Sequence, residues 1–458
     1  MVSRRQFIVG SAGVAFAGLG YSLLGNNAAS RNAINLSEVH GYGALKPDPN
    51  GLLDLPEGFS YQVISERDDT MTDGLPVPDR ADGMGCFKLD DDRVALVRNH
   101  EIHPKHLDDC QPAFKNLKSE LAYDQFNDGV ALPGGTTNLV YNTKTQNVEQ
   151  EYLTLIGTVR NCSGGITPWG TWLTCEESVL RAGDDIQNDH GYVFEIPANA
   201  KGLVNPEPLK AMGRFNHEAA VVDPRTGIVY LTEDKDDSLF YRFIPNVKGQ
   251  LNQGGKLQAL VIKGHRQLDT RNWDRQHIDL QSWYEVEWLN LANPEAPEDD
   301  LRLRGYQQGA ALFARGEGIH MGDNEMYFCC TSGGHAQFGQ VMRYQPSAFE
   351  GQTQEQSAPG QIQLFLESTD ASLYNFGDNL TVMPNGHLMV CEDQYLPQVD
   401  NYLRGVTPDG KVYPFAQVKI QTEPAGACFS PDGQVMFVNL YSPTKTLAIT
   451  GPWQDFKA

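Results

Sequence analysis

The sequence predicts an all-β chain folded as a six-bladed β-propeller, with rim insertions and an axial metal site. Three observations carry this. Helix signals are scarce, because 45 glycines and 26 prolines punctuate short alternating or apolar runs. Turn-to-strand units recur along the chain, spaced by roughly 50 to 100 residues, near or above the period of about 40–50 residues per propeller blade. Most of the units end in acids, which a propeller would deliver to one central place.

In chain order the units are DDDRVALVRNHE, ending at Glu101; GTWLTCEE, ending at Glu176 and Glu177; and GIVYLTED, ending at Glu233 and Asp234. NEMYFCCTSGG follows with a neutral end at Thr331. Then come GHLMVCED, ending at Glu392 and Asp393, and GQVMFVNL, with a neutral end at Asn439. VVDPRTGIVYL, VMPNGHLMV and FSPDGQVMFV read as hairpins with Pro and Gly where turn geometry wants them. NLVYNTKTQNVEQEYLTL reads as another. Residues 100–130 and 265–310 are irregular and charged and are expected as insertions on the rim. No shift in composition marks a boundary, so residues 30–458 are expected to form a single domain; two stacked β-sandwiches are the alternative architecture.

Residues 1–29 stand apart from the fold. Arg4 and Arg5 precede an apolar run from Phe7 to Leu24, followed by the small residues Ala28, Ala29 and Ser30. That order is the export pattern, and SRRQFI is similar to a bacterial twin-arginine signal. A periplasmic or secreted protein, exported folded by the twin-arginine machinery, is the expectation, with no later stretch apolar enough to span a membrane. The 58 acidic residues against 36 basic ones give a net charge of −22. That disfavours nucleic acid as a partner, since phosphate backbones call for a basic surface. A phosphorylated small molecule stays admissible if bound cations invert the local field. The eight cysteines show no CxxC and no compact framework. Cys175, Cys329, Cys330 and Cys391 lie in apolar runs and read as small buried hydrophobes; Cys162, in NCSGG, reads as placed for chemistry.

Acids gathered at one place repel one another unless cations lie between them. Glu101, Glu176, Glu177, Glu233, Asp234, Asp378, Asn379, Glu392 and Asp393 offer oxygens suited to calcium. Cys162 with Glu218 and Glu317 offers a mixed sulfur–oxygen set suited to a transition metal. His100 and His217, each in Asn-His-Glu, read equally as ligands or as groups that orient the neighbouring carboxylate. Arg315, two residues before Glu317, could clamp an anionic substrate or pair with Glu317. Neither a nucleophile elbow nor a phosphate-binding glycine loop is present, and Ser163 and Ser332 read as turn residues.

Taken together, RNHE (98–101), NCSGGITPWGTWLTCEE (161–177), GRFNHEAAVVDP (213–224), LTEDKDDSLFYRF (231–243), ARGEG (314–318), GDNL (377–380), VCED (390–393) and the C-terminal CFSPDGQVMFVNLYSPTKTLAITGPW resemble the PhoX-type alkaline phosphatase family. The resemblance implies phosphomonoester hydrolysis at an axial cluster of about two ferric and about three calcium ions. It implies Cys162, Glu218 and Glu317 as iron ligands. Glu101, Glu176, Glu177, Asp234 and Asp393 would serve calcium, and Arg315 would contact the phosphate. The chain departs from the family pattern at Tyr441 and Lys445, where an amide and a glycine are expected. A calcium-dependent hydrolase of another ester class and a non-catalytic, calcium-stabilised propeller are the alternatives.

Overall fold

The computed structural model describes residues 38–183, 185–394 and 396–457. The export signal expected in residues 1–29 lies outside the described residues. Strands dominate, and among the described residues one α-helix forms, Leu301–Gln308. No helix among them is long and apolar enough to cross a membrane.

The strands form antiparallel sheets built as up-and-down meanders, in a propeller-like all-β fold. One four-stranded sheet runs in order Ala81–Lys88, Arg93–His100, Gly134–Asn142 and Asn147–Thr158. A three-stranded sheet follows, with Asn161–Ile166, Thr171–Glu176 and Val193–Pro197. Two meanders, His217–Val222 to Gly255–Ile262 and Gly316–Met321 to Gln361–Glu367, are joined by Trp283–Asn290 into a nine-stranded sheet. The next sheet begins at Gly377–Val382 and recruits Leu53–Pro56 and Leu45–Lys46 at its outer edge. The final sheet starts at Pro424–Phe429 and ends on Ser60–Glu66, a strand from the other end of the chain.

Cores fill the spaces between neighbouring sheets. Leu173, Cys175 and Val193 of one sheet pack with Ala220, Val222 and Leu231 of the next. Tyr327, Cys329 and Phe365 pack in the same way with Leu380, Val390 and Val406. Cys175 and Cys329 are fully buried in these two cores, and Cys330 and Cys391 in two others, all as small hydrophobes. One expectation needs correction. The stretch 265–310 is more than a rim insertion, since WYEVEWLN alternates with the period of a strand and welds two meanders together.

The first strands of the meanders line the middle. Ala81–Lys88, Asn161–Ile166, His217–Val222, Gly316–Met321, Gly377–Val382 and Pro424–Phe429 touch in that order, and the last returns to the first. Each carries a β-bulge at the same level, where two of its residues stand opposite one on the neighbouring strand. Glycine lets these strands approach closely. A Cβ on Gly165 would lie 1.9 Å from the Ala220 carbonyl oxygen, and one on Gly318 would lie 2.7 Å from the Asn379 Cα. No larger residue fits there without moving backbone.

Candidate metal centre

The bulges decide which side chains meet. Their first residues are Asp82, Cys162, Glu218, Glu317, Asp378 and Gly426. Five of the six positions thus carry a carboxylate or a thiol. The donor atoms of Cys162, Glu177 and Glu218 lie within 4.8 Å of one another, as do those of Glu218, Glu317 and Asp378. Glu218 therefore belongs to both groups, and all five residues are buried.

A second tier closes the mouth. At the end of each second strand one backbone N–H donates to the carbonyl just before the bulged strand. Glu101 bonds to Arg80, Glu177 to Arg160, Asp234 to Asn216, Thr331 to Arg315, Asp393 to Phe376 and Tyr441 to Glu423, at 2.9–3.2 Å. Arg80, Arg160, Arg315 and Phe376 hold left-handed φ values of 51–59° to make this turn. The tier thus sets four acids, Glu101, Glu177, Asp234 and Asp393, and three arginines, Arg80, Arg160 and Arg315, in one repeated frame.

The arginines are held by the acids they face. Arg315 donates Nε to Asp234 Oδ1 at 2.7 Å, and Nη2 to Asp234 Oδ2 at 3.0 Å and to Glu317 Oε1 at 2.8 Å. Arg160 donates Nε to Glu101 Oε1 at 3.0 Å and Nη2 to Glu177 Oε2 at 2.5 Å. Tyr441 donates its hydroxyl to Glu101 Oε2 at 2.7 Å, and Arg80 Nη1 lies 3.5 Å from that hydroxyl.

The electrostatics of the cluster ask for cations. Burial pushes the Glu317 carboxyl well above its ordinary pKa, and the carboxylates of Asp234, Asp378 and Glu218 add to the shift against the pull of Arg315. Burial also raises the Cys162 thiol, reinforced by Glu218, Glu177, Asp82 and Glu101. Glu317 Oε2 is buried with no hydrogen-bond partner among the described residues. A thiol and several carboxylates shielded from water are costly to ionise unless a positive ion sits between them.

The expected residues do not share one environment. Cys162, Glu177, Glu218 and Glu317 meet in the bulge cluster, and Glu101 and Asp234 stand beside it, joined through Arg160 and Arg315. Asp393 is buried at the equivalent mouth position. Glu176 instead turns into its own sheet. Its oxygens accept from Val159 N at 2.9 Å, Gly191 N at 2.9 Å and Tyr192 N at 3.2 Å, and Oε1 lies 2.7 Å from His190 Nδ1. His100 spans the Asp79 carbonyl and Thr137. His217 bonds to the Gly213 carbonyl and stacks on Phe215 at 3.6 Å. Both histidines brace the strands that present Glu101 and Glu218. Sequence reasoning missed Asp82, Arg80 and Arg160. The available signal was a thrice-repeated Arg-x-donor string: Arg80 with Asp82, Arg160 with Cys162 and Arg315 with Glu317.

Compared with protein families, residues 40–444 match "Alkaline phosphatase PhoX". Among curated proteins none matches. Among solved structures the chain is similar to Pseudomonas fluorescens PhoX in complex with vanadate, a transition state analogue. The TM-score is 0.64 and the identity 16%, covering 91% of this chain and 98% of that one. A gluconolactonase from Xanthomonas campestris gives a TM-score of 0.43 at 11% identity, covering 90% and 98%.

Proposed function

The chain belongs to the alkaline phosphatase PhoX family, and from that premise we propose that it hydrolyses phosphate monoesters at the cluster built on the bulged inner strands. The single observation that carries this is the convergence of Cys162, Glu177, Glu218, Glu317 and Asp378 within two overlapping groups. Six inner strands with equivalent bulges support a six-bladed reading with the metal site on its axis.

The donor chemistry fits the ions. Cys162, Glu218 and Glu317 would hold ferric iron, since a thiolate among carboxylates suits a transition metal better than calcium. Glu101, Glu177, Asp234 and Asp393, with Asp82 and Asp378, would serve calcium through oxygen. The full complement in this reading is about two ferric and about three calcium ions. Glu176 stays outside the set, its oxygens already taken up by backbone N–H groups and His190. When bound, the cations would supply Lewis acidity toward the phosphoryl oxygens.

The chain's own residues do the positioning. Arg315 would be the substrate clamp: Asp234 grips its Nε–Nη2 edge and so fixes the plane of a guanidinium whose charge suits a phosphoryl group. It would stabilise charge on the transferring group, where phosphoryl transfer depends most on electrostatics. Arg160 steers Glu101 and Glu177 together, and Tyr441 fixes the other oxygen of Glu101. Export by the twin-arginine route to the periplasm or beyond accompanies this reading and rests on Arg4 and Arg5.

The test is iron and calcium content of protein purified without chelator, measured beside hydrolysis of p-nitrophenyl phosphate. Cys162→Ser should lose iron, and with it visible absorption, while the far-ultraviolet circular dichroism stays that of the parent. Iron retained in that variant would remove Cys162 from the ligand set. A metal-loaded parent with no turnover would favour the binding-propeller alternative.

A further inference from the structure

Two cysteines that take no part in the metal cluster stand on either side of the seam where the circle of inner strands closes. Behind the cluster, on the side away from the mouth, the six inner strands enclose a mainly apolar cavity of about 440 Å³. Its walls are the residues that follow the bulges, and Ile166, at the end of its strand, is exposed. Cys86 and Cys428 both line this cavity. They belong to the first and the last inner strands, Ala81–Lys88 and Pro424–Phe429, which touch.

Strand alternation turns both thiols into one core. Met84 and Cys86 pack into the space shared with the last sheet, whereas Phe87 turns the other way, toward Trp172 and Phe194. Cys428 enters the same space from the opposite side, with Val435 and Phe437, while Ala427 packs away from it with Met436 and Val438. A close backbone approach fixes the level of one strand against the other. A Cβ on Gly426 would lie 2.4 Å from the Asp82 carbonyl oxygen and 2.7 Å from Met84 N. Two residues beyond Gly426 and Met84 come Cys428 and Cys86, so the thiols stand at nearly one level of the seam. Their exposure also sets them apart. Cys86 is 9% and Cys428 8% exposed, whereas Cys175, Cys329, Cys330 and Cys391 are at 0%, so the cavity gives a small reagent a route to this pair. Burial raises both thiols, and Cys428 adds to the shift of Cys86. Both are therefore protonated at neutral pH, and the thiolate fraction grows as pH rises.

We propose that Cys86 and Cys428 form a redox modification site, in which a low-molecular-weight disulfide oxidises the pair to a disulfide that staples the last sheet to the first. One thiolate attacks the small disulfide and expels a small thiolate. The second thiol, once deprotonated, attacks the mixed disulfide and expels the other. Two electrons pass to the reagent, and the two protons leave on the two small thiols. Without the staple, the seam is held by the pairing of Ser60–Glu66 with Lys445–Thr450 and by the core between the two sheets. With it, the circle of inner strands is closed covalently, and the long enclosed loop restricts the unfolded chain. The inference is independent of the phosphatase reading.

The test incubates the full chain, purified without chelator, with oxidised glutathione at mildly alkaline pH and digests it without reduction. Mass spectrometry should find a peptide linking Cys86 to Cys428, formed faster as the pH of the incubation is raised. The thermal unfolding midpoint should rise by about 5 °C and return to its starting value with a phosphine reductant. Cys86→Ser and Cys428→Ala should give neither the linked peptide nor the rise. The linked peptide is sought in the parent, so a variant that folds poorly does not decide the matter. Both cysteines recovered as free thiols, or each carrying glutathione, would overturn the pair. A linked peptide with an unchanged midpoint would overturn the staple.

Discussion

The two members of each acidic pair, adjacent in sequence, have opposite fates. Glu176, Glu233 and Glu392 turn into their own sheets and find donors there. Glu233 accepts from the Tyr241 hydroxyl at 2.6 Å, with Arg302 at 3.8 Å. Glu392 accepts from Arg404 Nε at 2.9 Å and from Asn375 N at 3.0 Å. Their successors Glu177, Asp234 and Asp393 occupy the mouth tier. Strand alternation thus sends one acid to hold the sheet and the next to the shared cluster. Acids that look alike in sequence therefore divide into those that hold the sheets and those at the mouth of the cluster, and each kind should fail differently when altered.

The largest contrast is expected on the cluster side. Glu317→Gln removes a carboxylate charge from the bulge group and weakens one of the two bonds that Arg315 Nη2 donates. Turnover should fall about a thousandfold with iron content reduced, while the thermal unfolding midpoint stays close to that of the parent. A variant with full activity and full iron would dissolve the distinction. On the support side, Glu392→Ala leaves Arg404 buried without its carboxylate. Chemical denaturation should report a loss of about 3 kcal/mol or more, with turnover per folded molecule unchanged. A stability within error of the parent would mean that Glu392 is no support.

The smallest effect is one of pH and sharpens the role of Glu176. Burial alone would lower the pKa of His190, but Glu176 and Asp124 outweigh it and raise the imidazole to about 9. The folded state therefore holds a proton that the unfolded state releases near pH 6.5. The stabilisation is complete below about pH 6.5 and is lost as pH rises through about 9, on the order of 3 kcal/mol. Denaturation midpoints across that range should fall in the parent and flatten in His190→Gln. Equal slopes would separate His190 from the stability of this corner.

Much of this was legible in sequence. The apolar runs ending in acids located the second strands, and Cys162, Glu218 and Glu317 stood out by their surroundings. Which acid of a pair faces the axis was not legible, because both stand at the end of one apolar run and only the register of the paired strands fixes that the first acid sits opposite Asn161, His217 or Gly377. Asp82 escaped notice because RADGMG lacks an apolar run before it, and the start of its strand is set by pairing with Arg93–His100. Arg80 and Arg160 were hidden because their left-handed turns come from tertiary contacts. The strand Trp283–Asn290 was obscured by its charges, since Glu285 and Glu287 face outward along a stretch that otherwise alternates.

Ser60–Glu66 pairs with Lys445–Thr450 across nearly the whole length of the chain. On the ribosome, no amount of early folding can complete that ladder, since Lys445 follows its partner Glu66 by 379 residues. Donors spread from Asp82 to Asp393 cannot be in register before then. Any cation held by these donors would therefore be loaded only once Pro424–Phe429 closes the circle of inner strands and Lys445–Thr450 has paired with Ser60–Glu66.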